Sequence, residues 1–386
     1  MPESAPARLV SLDAFRGLTI LAMILVNNPG TWAAVYAPLR HAEWHGWTPT
    51  DLVFPFFLFI VGVAIPLAFR KRLDRGDGRG ALARKALRRA AVLFGIGVLL
   101  SAFPFATFDG GVTPTPLGEL RVMGVLQRIG LCYAGAALLY LYVPARARWT
   151  LAAVLLVGYA LALLLVPVPG YGPGRLDVPE ATLPAWVDRV VLGTGHLWKG
   201  ADYQWDPEGL LSTLPALVTT LVGVWAGRLF LRADRSAAER TAWLLGAGCL
   251  AMAVGTAWGW AFPINKALWT PPYVLLTGGQ ALAGLGLCYG VADGLGHQRW
   301  TLPFRIYGVN ALLVFVGSAV VARTLYTVRL DGPGTEPVVL QAWIFQTVFA
   351  PLAPPPLASL LYALVWVSLW FLVLWALWRR GIVWKV

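Results

Sequence analysis

Ten stretches of this chain are long and apolar enough to cross a bilayer as helices, and that fixes the class of fold before any single residue is considered. A helix needs about 20 mostly apolar residues to cross the hydrocarbon. Such windows fall near residues 9–28, 51–69, 88–106, 122–143, 149–167, 209–231, 241–261, 269–295, 305–324 and 355–378. Lipid offers no water to backbone N–H and C=O groups, so each stretch must satisfy its own by coiling. The chain is 58% hydrophobic and 13% charged, a balance with which a soluble domain could not cover its surface. The expected fold is all-α: a polytopic membrane helical bundle of about ten transmembrane helices, one domain over residues 1–386. Residues 338–352 are apolar but short and read as an interfacial or re-entrant piece.

The loops orient the bundle. Residues 70–89 carry Arg70, Lys71, Arg72, Arg75, Arg79, Arg84, Lys85, Arg88 and Arg89. Alternate loops add Arg146 and Arg148, then Arg228, Arg232, Arg235 and Arg240, then Arg299 and Arg305, and the tail adds Arg379, Arg380 and Lys385. The opposite side holds most carboxylates: Glu43, Asp109, Glu119, Asp177, Glu180, Asp188, Asp202, Asp206, Glu208, Asp331 and Glu336. The positive-inside rule then places both termini in the cytoplasm and the protein in the inner (cytoplasmic) membrane, with the first apolar run as an uncleaved anchor. The net charge of +12 sits beside apolar spans, where it serves topology and anionic lipid rather than nucleic acid. Cys132, Cys249 and Cys288 fall in apolar stretches and read as small buried hydrophobes. The long outer loop 168–208, rich in Pro, Gly and aromatics, is expected to cap the bundle.

Charge within lipid costs at least a few kcal/mol and is kept for pairing or for function. Asp13 and Arg16 lie three apart on one helical face, as an ion pair or as a hold on a polar group. Asn27 and Asn28 end the first span, either as helix-terminal residues or as oxyanion donors. Gln127 and Arg128 fall in mid-span beyond Arg121. Asn265-Lys266 make a short outer turn, and Asn310 interrupts the ninth span. Asp206-Pro207-Glu208-Gly209 reads as an N-cap for the sixth span.

The segment from Arg40 to Asp51 holds two of the four His in the chain. His41 has Glu43 and Asp51 as sequence neighbours able to fix its tautomer, and Trp44 and Trp47 able to exclude water. A metal site is not expected, because Gly46-Trp47-Thr48-Pro49 breaks the helix that would bring His41 and His45 together and no Cys assists.

Several of these segments together carry a family resemblance. The runs Arg8-Leu9-Val10-Ser11-Leu12-Asp13-Ala14-Phe15-Arg16-Gly17, Val26-Asn27-Asn28, His41-Ala42-Glu43-Trp44-His45-Gly46-Trp47-Thr48, Asp51-Leu52-Val53-Phe54-Pro55, Gly124-Val125-Leu126-Gln127-Arg128, Asp206-Pro207-Glu208-Gly209, Pro263-Ile264-Asn265-Lys266 with Leu268-Trp269, and Trp384-Lys385 occur in order along nearly the whole chain. In this they resemble the heparan-alpha-glucosaminide N-acetyltransferase family. Leu12 to Gly17 also resembles the start of the acyltransferase-3 family, which has a His where this chain has Asn27. The first resemblance implies a membrane acyltransferase that takes acetyl from cytosolic acetyl-CoA and gives it to a sugar amine across the membrane. It matches His41 to the family's active-site His and Asn27 to its conserved Asn. His45 stands where the human-type motif carries Asn. A homodimer is also implied.

Thioester aminolysis needs a base for the amine proton and a donor for the tetrahedral oxyanion. His41 is the expected base, or the carrier of the acetyl as acetyl-imidazole. Glu43 or Asp51 would orient it, and Asn27, with Lys266, would stabilise the oxyanion. Arg16, Gln127, Arg128, Asn265 and Lys266 are the candidates for holding acetyl-CoA, and no metal is called for. The acceptor would be an amino sugar or another glycan on the outer side. A transporter or flippase of a sugar-linked or anionic substrate, or a structural component of an envelope complex, would also place polar residues in mid-span.

Overall fold

The computed structural model describes residues 9–107, 113–330 and 337–384. Arg8, Asp109, Asp331, Glu336 and Lys385, which entered the charge and motif arguments, lie outside the described residues. All ten apolar stretches are helical. The helices are α1 Val10–Asn27, α2 Val53–Leu73, α3 Arg79–Ala102, α4 Val125–Tyr142, α5 Ala145–Leu165, α6 Leu183–Leu192, α7 Thr213–Phe230, α8 Ala237–Gly259, α9 Pro271–Tyr289, α10 Leu302–Val309, α11 Ala311–Thr327, α12 Leu340–Ile344 and α13 Pro355–Arg379. Strand is confined to short two-stranded antiparallel ribbons, Ala106–Thr107 with Thr113–Pro114 and Arg329–Leu330 with Val338–Val339.

Among the described residues, eight helices are long and apolar enough to cross a membrane, and nine if one bent pair counts as a single span. The bent pair is the expected ninth span. It breaks by 63° between α10 and α11 at Asn310, whose side chain ties the break to the C-terminal segment. Its Nδ2 donates to Ile382 O at 3.1 Å and its Oδ1 accepts from Trp384 N at 2.8 Å. The stretch that does not qualify is the expected third, α3, whose first half carries Arg79, Arg84, Lys85, Arg88 and Arg89, leaving only its second half fit for hydrocarbon. The 338–352 piece is short as expected, one turn of α12 continued by irregular helical turns.

Small residues let the spans approach closely, as helix pairs in lipid require. A Cβ on Gly62 of α2 would overlap the Thr220 carbonyl of α7, and one on Gly223 would overlap the Phe59 carbonyl. Gly17 of α1 and Gly308 of α10 interlock in the same way, against the carbonyls of Phe304 and Asp13. The α2, α4, α7 and α9 helices share one apolar core around Leu58, Ile65, Tyr133, Ala136, Leu221 and Tyr273.

The connection 28–52, the approach to α4, the loop 168–212 and the α8–α9 turn all lie at one end of the bundle. They are stitched together there. Gly46 N donates to Ile264 O at 2.8 Å, Trp44 Nε1 donates to Leu176 O at 2.7 Å, and Arg121 reaches Asp206. The loop 168–208 lies at this end and contains the short helix α6.

Candidate active site

The site begins with a turn. Gly46 adopts φ +94°, a region that costs a side-chain-bearing residue energy and glycine none. The turn folds Thr48 and Asp51 back beneath the segment that precedes it. Thr48 N and Ala42 N both donate to Asp51 Oδ2 at 3.0 Å, and the Thr48 hydroxyl also lies 3.2 Å from it. Tyr273, from α9, donates its hydroxyl to the Asp51 carbonyl at 2.6 Å. The carboxylate is therefore buried and clamped, with Oδ1 left to face the neighbouring ring.

That ring is His41. Its Nδ1 lies 2.6 Å from Asp51 Oδ1. A carboxylate oxygen only accepts, so Nδ1 carries the hydrogen and Nε2 keeps its lone pair. Lys266 completes a triangle, with Nζ 3.3 Å from Asp51 Oδ1, 2.9 Å from Nδ1 and 3.4 Å from Nε2. Burial pushes the Lys266 ammonium below its ordinary pKa, opposed by the charges of Asp51 and Glu208. The imidazole is 45% exposed while the Asp51 side chain is 1% exposed. The pair thus has a fixed, hidden anchor and an open working edge.

Asn265 builds the wall beside the triangle. Its Oδ1 accepts from Leu268 N at 2.8 Å, and its Nδ2 donates to Trp44 O at 2.9 Å and to His45 Nδ1 at 3.2 Å. His45 must then carry its hydrogen on Nε2, which faces Asp177 at 3.0 Å. Trp44 packs edge-on against Trp205, and Trp205 against Trp198, at ring separations of 5.2 and 5.6 Å.

A second charged layer lies at the same end. Arg121 grips Asp206 through Nε and Nη2 at 2.8 and 2.6 Å, and Nη2 also meets Glu208 at 2.5 Å. Asp206 and Glu208 are therefore not an N-cap. The α7 helix starts at Thr213 after Ser212, and the two buried carboxylates are spent on a guanidinium 85 and 87 residues away. Arg128 is fully buried. Its Nη2 donates to Gly209 O at 3.0 Å and Ser212 Oγ at 2.5 Å, its guanidinium lies 5.2 Å from the Trp269 ring, and its Nε and Nη1 find no partner among the described residues. Asp188 accepts from Leu210 N at 2.8 Å. Burial pushes its carboxyl up to about 7, with the Leu210 N–H opposing and Asp206 adding.

With this geometry in place, residues 8–252 match the family model described as heparan-alpha-glucosaminide N-acetyltransferase, catalytic. The chain belongs to the heparan-alpha-glucosaminide N-acetyltransferase family. The human heparan-alpha-glucosaminide N-acetyltransferase is 33% identical over 367 residues, covering 82% of this chain and 54% of the human protein. The mouse protein is 32% identical over 365 residues, with the same coverage. The chain spans about half the length of these relatives.

For this heparan-alpha-glucosaminide N-acetyltransferase family member, the candidate residues divide cleanly. His41, Asp51 and Lys266 touch one another, and Asn265 supports them. Glu43 is exposed and lies outside the hydrogen bonds of the ring. Asn27 ends α1, exposed, and also stands outside that network; Asn28 Nδ2 donates to Ile24 O at 2.8 Å. Gln127 donates to Val122 O at 3.0 Å, bracing the start of α4. Arg16 lies 3.3 Å from Asp13, 11 residues and about 16 Å along α1 from Asn27. Sequence reasoning missed Tyr273 and the buried setting of Asp188, and took Trp269 only as part of a family motif. Tyr273 and Trp269 sit in apolar surroundings where aromatics are unremarkable, and only Trp269's positive φ of 52° marks it once the structure is known.

Proposed function

We propose that this chain is a membrane-spanning acetyltransferase. It takes acetyl from acetyl-CoA presented on the arginine-rich side and gives it to an amino sugar or related glycan at the face holding His41. The observation that carries this is the His41–Asp51–Lys266 triangle at one end of a bundle of apolar helices. The names of the human and mouse relatives and the positive-inside distribution support it.

Asp51 holds the Nδ1–H and leaves Nε2 as the basic atom. That atom takes the proton of the attacking amine and passes it to the departing thiolate, or attacks the thioester carbonyl and carries the acetyl itself. Lys266 sits where an ammonium would meet the developing oxyanion. The Trp44–Trp205–Trp198 stack offers apolar faces to a sugar ring, beside the His45–Asp177 pair as a polar handle. The N–H groups of Arg128 left over at the His41 end suit a carbonyl oxygen of the donor's extended arm. Both termini then lie in the cytoplasm, with the chain a multi-pass protein of the inner membrane.

The test is acetyl transfer from labelled acetyl-CoA to a glucosamine-bearing acceptor by the purified protein in detergent. Transfer is expected there. Activity seen only as solute movement in sealed vesicles would instead favour a transporter.

A further inference from the structure

At the end of the bundle away from His41, a cleft of about 450 Å³ opens among α2, α4, α5 and α7, lined by Arg70, Tyr140, Trp149, Trp225, Arg228 and Arg232. We propose that this cleft binds a phosphate ester, and that its occupant is the head group of an anionic phospholipid from the leaflet on that side. The proposal goes beyond the acetyltransferase reading and does not depend on it.

Charge comes first. Arg70 has Asp74 beside it at 2.8 Å, and Arg232 has Asp234 at 2.7 Å, both pairs exposed. Among the described residues no carboxylate lies within salt-bridge reach of Arg228, which stands one helical turn before Arg232. Arg148 stands behind the lining, against Tyr140. Its guanidinium is turned onto the carbonyls of Leu139 and Tyr140 at 3.4 and 3.1 Å and lies 5.3 Å from the Tyr140 ring, so it brings charge without neutralising any. Three guanidiniums thus line one concavity with two carboxylates beside them. Like charges so crowded are stabilised by an anion among them, and a guanidinium fork matches phosphate oxygens two at a time.

Lipid is favoured over a soluble phosphate by what adjoins the cleft. Trp149 and Tyr140 are amphipathic rings of the kind found at head-group depth. The α5 helix, which starts at the cleft, is among the less buried spans of the bundle. Its residues Val154, Val157, Leu161 and Leu164 are all exposed and, at spacings of three and four, form one apolar stripe. A head group seated among the arginines would lay its acyl chains along that stripe.

The experiment uses the full chain in detergent and measures thermal stabilisation by short-chain phosphatidylglycerol, by phosphatidylcholine and by adenosine 3′,5′-bisphosphate. Two variants, Arg228→Gln and Arg232→Gln, are assayed alongside; each is first checked for an unaltered transition without ligand, so that a variant that misfolds is replaced by the other. Phosphatidylglycerol should stabilise more than phosphatidylcholine, and a well-folded variant should weaken its apparent affinity about tenfold, the loss of one charge-assisted contact. Equal stabilisation by the two lipids, or an affinity unchanged in both variants, overturns the proposal. Stabilisation by the bisphosphate alone, abolished in the variants, would reassign the cleft to a soluble nucleotide and overturn the lipid assignment.

Discussion

Asp51 Oδ1 stands 2.6 Å from His41 Nδ1, ten residues away in the chain, while backbone donors, the Thr48 and Tyr273 hydroxyls and Lys266 hold the rest of Asp51 in place. Replacing Asp51 by Asn keeps the shape but presents an amide. Its NH2 then faces the ring and favours the tautomer with the lone pair on Nδ1. Asp51→Asn is expected to lower kcat by about 10²–10⁴-fold with little change in KM for the acetyl donor. Steady-state kinetics in detergent checks this, and a KM effect alone would speak against an orienting role.

Arg121 serves two carboxylates that lipid-facing loops could not otherwise bury. Removing it leaves Asp206 and Glu208 uncompensated, a change that costs about 3–5 kcal/mol at buried pairs. Arg121→Ala should therefore lower the thermal transition markedly. Arg121→Lys should recover only part of the loss, because an ammonium cannot reproduce the two-pronged grip on Asp206. Equal stability of the Ala variant and the parent would show that Arg121 does not hold Asp206 and Glu208 in place.

Asp188 gives the protein a pH signature. Its folded pKa of about 7 lies above the ordinary 3.8, so the folded state binds the proton more tightly than the unfolded chain. Stability from this group is present below 3.8 and falls as pH rises towards about 7. Asp188→Asn should flatten that decline while keeping the Leu210 N–H bond through its carbonyl oxygen. Transition temperatures of both proteins across this pH range provide the comparison.

Much of this was legible in the sequence. The apolar windows marked the helices, because helix formation in lipid is compulsory, but they overcounted the spans: ten were expected and, among the described residues, eight or nine helices qualify, with the arginine-rich start of α3 excluding it. The broken ninth span was also marked, by Asn310. His41, Asp51, Asn265 and Lys266 stood out because polar groups beside hydrocarbon are expensive. What could not be read was who pairs with whom. Glu43 is two residues from His41 and Asp51 is ten, yet the Gly46 turn brings in the more distant carboxylate. Asp206 and Glu208 precede a helix and so look like a cap, while their guanidinium partner comes from an earlier loop. Tyr273 and Trp269 look like core aromatics from composition, and only the fold puts them against Asp51 and Arg128.

The central claim is that His41 Nε2 does the chemistry. The direct measurement is acetyl transfer by His41→Ala beside binding of acetyl-CoA to the same preparation. The account predicts that transfer falls to background while donor binding and the thermal transition stay near those of the parent. Transfer at the parental rate by a folded His41→Ala protein would contradict it.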